Sequence, residues 1–255
     1  NSGFVSTILS TFRSIESLES MPRLPASREE AKSISDVVGA GQTTVRSGFA
    51  ANRDGVLNGG IQDYKILHFA THGLIDEKRP ELSGILLSLF NESGNENDGG
   101  FIRLQDVYGL RLNSDLVVLS ACDTGIGKEI KGEGVMSLNN AFLQAGAKSV
   151  VSSLWKVDDT ATKDLMTEFY RGMADDNLTA AAALRGAQIK MYNDPRYRSP
   201  FYWAAFTASG DDRVKVAFAS NARLYGLIAV AIVFAAVLAF VALRRRSRRP
   251  KFPAQ

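Results

Sequence analysis

Apolar and polar residues follow each other in blocks over residues 23–212, and these blocks predict strands and helices in turn. Short apolar runs are typical of buried strands: YKILHFATH, DLVVLSAC, KSVVSSLW and FYWAAFTASG. Amphipathic segments predict helices: SREEAKSISDVV, GVMSLNNAFLQAG, DDTATKDLMTEFYRGM and TAAAALRGAQIKMYN. This alternation predicts an α/β fold with a mostly parallel sheet flanked by helices.

Capping and turn residues refine the element boundaries. Ser27, followed by two acids, is predicted to cap the first helix. The segment TTVRSG, residues 43–48, predicts a short strand, and Arg103–Leu110 predicts a short helix after the loop NESGNENDGG. Gly146 is expected to end one helix and Pro195 to close another.

The C-terminal part of the chain has a different composition. Residues 224–243 hold no charged side chain, and a helix of this length is about as long as the roughly 30 Å hydrocarbon core of a bilayer. Six basic residues follow within 244–255, which predicts a transmembrane helix with a cytoplasmic tail. The side of the membrane on which the preceding domain lies is left open, since a tail anchor with a cytoplasmic domain is the competing topology.

The charge distribution argues against a nucleic-acid-binding protein. The formal net charge is +3, and the six cations of the tail more than account for it, so residues 1–243 are slightly acidic. We divide the chain into the end of an upstream region (1–22), the α/β domain (23–212), a linker (213–223), the span and the tail. Because the first residue is Asn, we expect the sequence to be part of a longer protein.

The residues with catalytic potential follow two neighbouring strands. His72 and Gly73 come after YKILHFAT, and Cys122 and Asp123 come after DLVVLSA. Carboxyl ends of parallel strands meet at one edge of a sheet, where an imidazole can activate a thiol and protonate a leaving amine. Either residue alone is more often a core residue, but the pair in matching positions indicates a site. One cysteine permits neither an internal disulfide nor a multi-cysteine zinc site.

Three further features of these segments have competing interpretations. His68 and His72 have a spacing that suits metal binding on a helix, but the segment predicts a strand, so His68 is assigned a structural role. The loop GIGKEIKGEG lacks the spacing of phosphate-binding motifs and is interpreted as a mobile active-site loop. Four acidic residues lie just after strands or in the loops beside them. They are interpreted either as solvated charges or as a pocket for a basic side chain: Asp123, Glu133, Asp158 and Asp159.

HFATHG, LVVLSACDTG, GEGVMSLNNAFLQAGAKSVVSSLWKVDD and FYWAAF resemble the CHAT domain, a caspase-like peptidase domain often found after tetratricopeptide repeats. The resemblance covers about residues 24–210. It implies a caspase–hemoglobinase α/β fold without metal or organic cofactor. It also implies that Cys122 is the nucleophile, that His72 is the general acid/base, and that the backbone N–H groups of Gly73 and Cys122 form the oxyanion hole.

The segment SLWKVDD is similar to a stretch of separases that shapes a pocket for arginine. Cleavage after Arg or Lys is therefore a hypothesis, with Asp159 or Asp158 as the anion and Glu133 and Asp123 as weaker candidates. The sequence thus predicts a membrane-anchored cysteine endopeptidase acting on protein substrates. The expected partners are an upstream tetratricopeptide-type region or a regulatory protein, and the lipid bilayer through residues 224–243, but not nucleic acid. The alternative is a non-catalytic caspase-like scaffold for protein binding at the membrane.

Overall fold

The structure is a computed structural model that describes residues 24–75, 82–95, 100–120, 133–155 and 157–218. The chain divides into two units, Asn1–Ala217 and Phe218–Gln255, and the elements below belong to the first. The helices are α1 (Pro25–Val38), α2 (Arg53–Leu57), α3 (Leu104–Gly109), α4 (Glu133–Gln144), α5 (Asp159–Ala174) and α6 (Ala180–Asn193). The strands are β1 (Ile66–Phe69), β2 (Gly73–Leu74), β3 (Gly84–Leu86), β4 (Phe101–Arg103), β5 (Leu116–Leu119), β6 (Ser149–Ser153) and β7 (Phe206–Gly210).

The main sheet has the strand order β1-β5-β6-β7. β1, β5 and β6 run parallel, while β7 pairs with β6 in the antiparallel direction. The parallel strands follow one another through helical connections, as expected of an α/β fold. The predicted mostly parallel sheet flanked by helices is therefore confirmed.

Both faces of the main sheet are covered. Successive side chains of a strand point to opposite faces, so Leu67 and Val117 enter the core on the side where Phe142 of α4 packs. On the other face α5 lies with α1 and α6 packed against it, and Tyr170 of α5 is in ring contact with His68 of β1. All residues of β5 and β6 are buried, which explains why their sequences are unbroken apolar or small runs.

A second, three-stranded antiparallel sheet lies between β1 and α3 along the chain, and the sequence pattern did not predict it. Its order is β2-β3-β4, with strands of two or three residues. Strands this short contain too few positions to display a period of two. This sheet follows β1 directly, so it determines the path of the chain beyond His72.

Two local predictions are wrong. Residues 43–48 form no strand but an extended segment that ends in a 3₁₀ turn at Gly48–Ala50. Ser27 does not cap α1, because the helix already begins at Pro25. The fixed φ of proline suits the first helical position, and the Ser27 hydroxyl donates a hydrogen bond to the Leu24 carbonyl at 2.7 Å.

The membrane location predicted from the sequence is corrected. Among the residues that the structure describes, no helix is long and apolar enough to cross a bilayer. The longest of them, α5, has 16 residues, which span about 24 Å against a hydrocarbon core of about 30 Å. Its surface also carries charges, among them Lys163 and Glu168. The predicted span, 224–243, and the basic tail lie outside the described residues, and the assignment as a single-pass membrane protein is withdrawn.

Candidate active site

His72 lies three residues beyond the end of β1 and immediately before β2. Its carbonyl oxygen accepts a hydrogen bond from the Leu86 N–H at 2.8 Å, and the Thr71 hydroxyl donates to the Leu86 carbonyl. The residue is half-buried, and its Nδ1 atom is buried. The Thr71 side chain and the His72 carbonyl are thus both bonded to Leu86 of β3, a contact that sequence reasoning did not foresee.

The carboxyl ends of β1 and β5 lie side by side. Phe69 is the register partner of Leu119, and the Ser120 N–H donates to the Phe69 carbonyl at 3.1 Å. The strands that precede His72 and Cys122 in the sequence therefore end at the same level of the sheet. Cys122 and Asp123 lie outside the described residues.

Gly73 is buried at the start of β2, opposite Ile85 of β3. In an antiparallel pair, hydrogen-bonded and non-hydrogen-bonded positions alternate. The bond between Leu86 and His72 marks that pair as hydrogen-bonded, so the Gly73 N–H points away from β3. It thus points away from the ladder that its own strand forms.

The predicted acidic residues have different settings. Asp158 is exposed and caps α5, where its Oδ1 atom accepts a hydrogen bond from the Ala161 N–H at 2.9 Å. Asp159 is half-buried as the first residue of α5. Glu133 is the first residue of α4, and its side chain lies outside the described part of the structure. A carboxylate that caps a helix has a structural use whether or not it also faces a ligand.

His68 belongs to a polar network beneath the main sheet. Its Nε2 atom lies 2.8 Å from Glu30 Oε1, and its Nδ1 atom lies 3.0 Å from the Tyr170 hydroxyl. Burial of the Tyr170 hydroxyl, together with the nearby Glu30, raises its pKa. These contacts fit the structural role predicted for His68. Over the described ranges, no group of three His, Cys, Asp or Glu side chains is placed to hold a metal ion.

A buried polar cluster of Asn139 and Ser152 joins the helix α4 to the end of β6. Asn139 donates from Nδ2 to the Ser152 hydroxyl at 2.8 Å. The Ser120 hydroxyl and Asn139 Oδ1 are buried and have no hydrogen-bond partner among the described residues. Sequence analysis missed this cluster, although Asn139 falls on the apolar face of α4, at helical spacing from Val135 and Phe142, and thereby signals a polar group in the core.

A cleft of about 200 Å³ opens beside the carboxyl end of β1. Its walls come from the extended segment and turn before α2, from α2 and the residues that lead to β1, from β1 with the two residues after it, and from Leu87 beyond β3. Apolar residues form most of the lining, which includes Ala51, Val56, Phe69 and Ala70. No sequence pattern marks this cleft, because its walls are far apart along the chain.

At the carboxyl end of β6 the third parallel strand leads into aromatic residues. Trp155 donates from Nε1 to the Phe201 carbonyl at 3.1 Å, and Phe201 is in edge contact with Tyr202. Tyr202 in turn contacts Tyr197, whose pKa is raised to about 12 by burial and by its hydrogen bond to Asp164. The chain segment before β7 is thereby fixed over the end of β6.

Comparison with known proteins places these features in a family. Residues 10–211 match a family model described as the CHAT domain. Tetratricopeptide repeat protein 28 of Homo sapiens is 30% identical over 219 residues, and that of Mus musculus is 28% identical over 222 residues. Each match covers 74% of this chain but only 8% and 9%, respectively, of the relative. The chain thus spans a small part of the length of these curated relatives.

Proposed function

Because the chain belongs to the CHAT domain family, we propose that it is a caspase-like cysteine endopeptidase whose catalytic dyad is His72 and Cys122. One observation carries the proposal: β1 and β5 are parallel neighbours in register, and the Ser120 N–H bonds the Phe69 carbonyl. Each of the two reactive residues follows its strand end by three positions. An extended residue spans at most about 3.6 Å, so this spacing allows both side chains to approach one substrate bond.

In the proposed reaction the Cys122 thiolate attacks the carbonyl carbon of the scissile peptide bond. The resulting oxyanion is stabilised by the backbone N–H groups of Gly73 and Cys122. His72 then protonates the leaving amine as the C–N bond breaks, which leaves an acyl-enzyme on the cysteine sulfur. A water molecule, deprotonated by His72, attacks the acyl carbon and releases the new carboxylate and the free thiol. The orientation of the Gly73 N–H away from β3 supports its part in this scheme.

We propose further that the residue before the cleaved bond is Arg or Lys. Asp159 is the first candidate for the anion that binds it, because it is the second acid of the separase-like stretch SLWKVDD and is half-buried at the start of α5, and Asp158 is the next candidate. Glu133 and Asp123 follow the strand ends or adjacent loops and are the secondary candidates. A carboxylate that meets a guanidinium in a partly buried pocket forms a strong, directional ion pair.

The relatives suggest how substrates are delivered. Both are tetratricopeptide repeat proteins by name. We therefore propose that a repeat region of this kind, or a separate regulatory protein, acts with the domain and brings protein substrates to it.

The full chain is incubated with a fluorogenic peptide library, with and without a thiol alkylator. We expect cleavage after Arg or Lys that alkylation abolishes and that Cys122→Ala and His72→Ala both lack. Cleavage after another residue type would keep the peptidase and discard Asp159 as the anion. Undiminished cleavage by Cys122→Ala would overturn the dyad. If the protein cleaves no peptide even with the upstream region present, and Cys122→Ala still binds its partner, the domain is instead a caspase-like scaffold.

A further inference from the structure

The cleft beside β1 is lined up to the residue that precedes His72 of the proposed dyad. Ala70 and Thr71 line it, and the next residue along the chain is His72. The Thr71 hydroxyl is bonded to the Leu86 carbonyl, while Leu87 forms part of the opposite wall. A peptide bound with its scissile bond at His72 therefore passes the mouth of this cleft within one or two residues.

Backbone hydrogen bonds hold the walls of the cleft together. The Ser88 N–H donates to the Ala51 carbonyl at 2.8 Å, and the Leu87 N–H donates to the Gly100 carbonyl. Arg46 bridges the carbonyl groups of Gly55 and Gly59 and so ties the extended segment to α2. The cleft is thus built into the fold by contacts between segments distant in sequence.

The lining is mostly apolar, although Thr44, Asn52 and Tyr64 also belong to it. Ala50, Ala51, Val56, Phe69 and Leu87 are among its residues, and no carboxylate lines it among the residues that the structure describes. The Arg46 guanidinium, the cation of the lining, already donates to two carbonyl oxygens. A basic side chain would find no counter-charge here, whereas an aliphatic one would leave water for an apolar wall.

The volume fits one side chain of medium size. A cavity of about 150 Å³ lined by apolar residues holds a benzene molecule, so about 200 Å³ accommodates a leucine or methionine side chain. A bulkier indole or a second side chain would need the walls to move apart.

We propose that this cleft is a specificity subsite that binds a Leu or Met side chain of the peptide substrate, one or two residues from the cleaved bond. The inference rests on the proposed function for the catalytic step, but binding at the cleft is a separate property. It places the basic residue of the substrate on the β6 side of the site and the apolar residue on the β1 side. The substrate class is then a peptide with a basic residue at the cleaved bond and an aliphatic residue close to it.

Two variants test the cleft from opposite directions. Ala51→Leu places a larger side chain on the lining, and Leu87→Ala widens the cleft. Ala182→Leu on the exposed surface of α6 is the matched control for Ala51→Leu, since it adds the same atoms away from the cleft. Far-ultraviolet circular dichroism and thermal melting establish that each variant folds.

The experiment uses the full chain and a set of hexapeptides with Arg at the cleaved bond and either Leu or Ala at each flanking position. In the unmodified enzyme, Leu at one flanking position should raise kcat/KM by about 10-fold or more over Ala. Ala51→Leu should abolish that preference, Leu87→Ala should move it toward Phe, and Ala182→Leu should leave it unchanged. A preference that survives both cleft variants would overturn the inference.

Peptide binding to the Cys122→Ala protein separates the cleft from the chemistry. Fluorescence anisotropy of a labelled Leu-containing hexapeptide should give a Kd that rises about 10-fold when Ala51→Leu is added, and Leu-to-Ala exchange in the peptide should have the same effect. If Ala51→Leu weakens peptide binding while the unmodified chain cleaves no peptide, the subsite proposal stands and the peptidase proposal is wrong. If neither Ala51→Leu nor Leu87→Ala changes the Kd, the subsite proposal is wrong, whatever the cleavage result.

Discussion

The Nε2 atom of His68 lies 2.8 Å from the Oε1 atom of Glu30, and this contact joins the strand that leads to His72 to the first helix of the domain. Glu30 is 3% exposed. A carboxylate oxygen only accepts hydrogen bonds, so Nε2 donates in this contact, and the Tyr170 hydroxyl lies 3.0 Å from Nδ1. Three elements, β1, α1 and α5, are thereby fixed to one another.

Glu30→Ala should destabilise the protein by about 1–3 kcal/mol, because it leaves the largely buried His68 Nε2 without its acceptor. Glu30→Gln keeps an oxygen at the same place and should recover most of that loss. Glu29→Ala is the control, since the Glu29 side chain is 71% exposed and lies 3.7 Å from Lys163. Urea unfolding of the three variants makes the comparison. Equal losses of unfolding free energy for Glu29→Ala and Glu30→Ala would show that the His68 network does not contribute to stability.

Ser120→Ala and Ser152→Ala should have opposite effects on stability. The buried Ser120 hydroxyl has no partner among the described residues, so its removal should raise stability by about 1 kcal/mol. The Ser152 hydroxyl accepts from Asn139, and its removal strands that amide and should cost about 1–3 kcal/mol. For a chain of this size 1 kcal/mol corresponds to about 2–4 °C in Tm. Scanning calorimetry gives the sign, and stabilisation by both variants would refute the assignment.

Glu168 should make the packing of α5 on α6 dependent on pH. Burial opposes ionisation of its carboxyl, but Lys190 at 2.7 Å and Arg171 outweigh that effect, so the pKa lies below its ordinary value. A lowered folded-state pKa gives stability that is present above the unfolded-state pKa and is lost as the pH falls through the folded-state one. Unfolding free energies should therefore decline below about pH 5.

Glu168→Gln tests this dependence directly. It should lower stability near neutral pH and converge with the unmodified protein in strong acid, and Lys190→Gln should act in the same direction. Denaturant titrations from about pH 3 to about pH 7 provide the two curves. Parallel curves over the whole range would show that the ion pairs of Glu168 contribute nothing to pH-dependent stability.

Two glycines should respond to alanine with opposite signs. Gly146 follows α4 with φ at 115°, and an added Cβ would lie 2.2 Å from the Leu112 carbonyl oxygen. Gly146→Ala should cost about 1–3 kcal/mol through strain and a close contact. Gly186 lies within α6, where an added Cβ would meet nothing within 4 Å, so Gly186→Ala should stabilise by about 0.5–1 kcal/mol. Thermal melts of both variants decide the matter, and a stabilised Gly146→Ala would contradict the structure.

The α/β architecture followed from the sequence because long amphipathic helices and buried parallel strands have strong periodic signatures. Asp158 and Thr179 cap α5 and α6, and Gly146 follows α4, close to the predicted boundaries. The strand prediction for residues 43–48 is wrong because these β-forming residues have no neighbouring strand among the described residues, and strand pairing depends on the tertiary structure. The small sheet was not predicted because its strands, such as the two-residue β2, are too short to show a period of two.

For the candidate site, too, the sequence gives one part of the information and the tertiary structure gives the rest. The sequence by itself limited the candidates for the chemistry, since it holds one cysteine and two histidines, and it predicted that His72 and Cys122 each follow a strand. Only the tertiary structure decided that β1 and β5 are adjacent and in register, that β3 bonds the segment at His72, and that Asn139 of α4 bonds Ser152 of β6 in the core. It also built the cleft beside β1 from Ala51, Ala70 and Leu87. Contacts within an element obey a local period, whereas contacts between elements depend on how the whole chain packs.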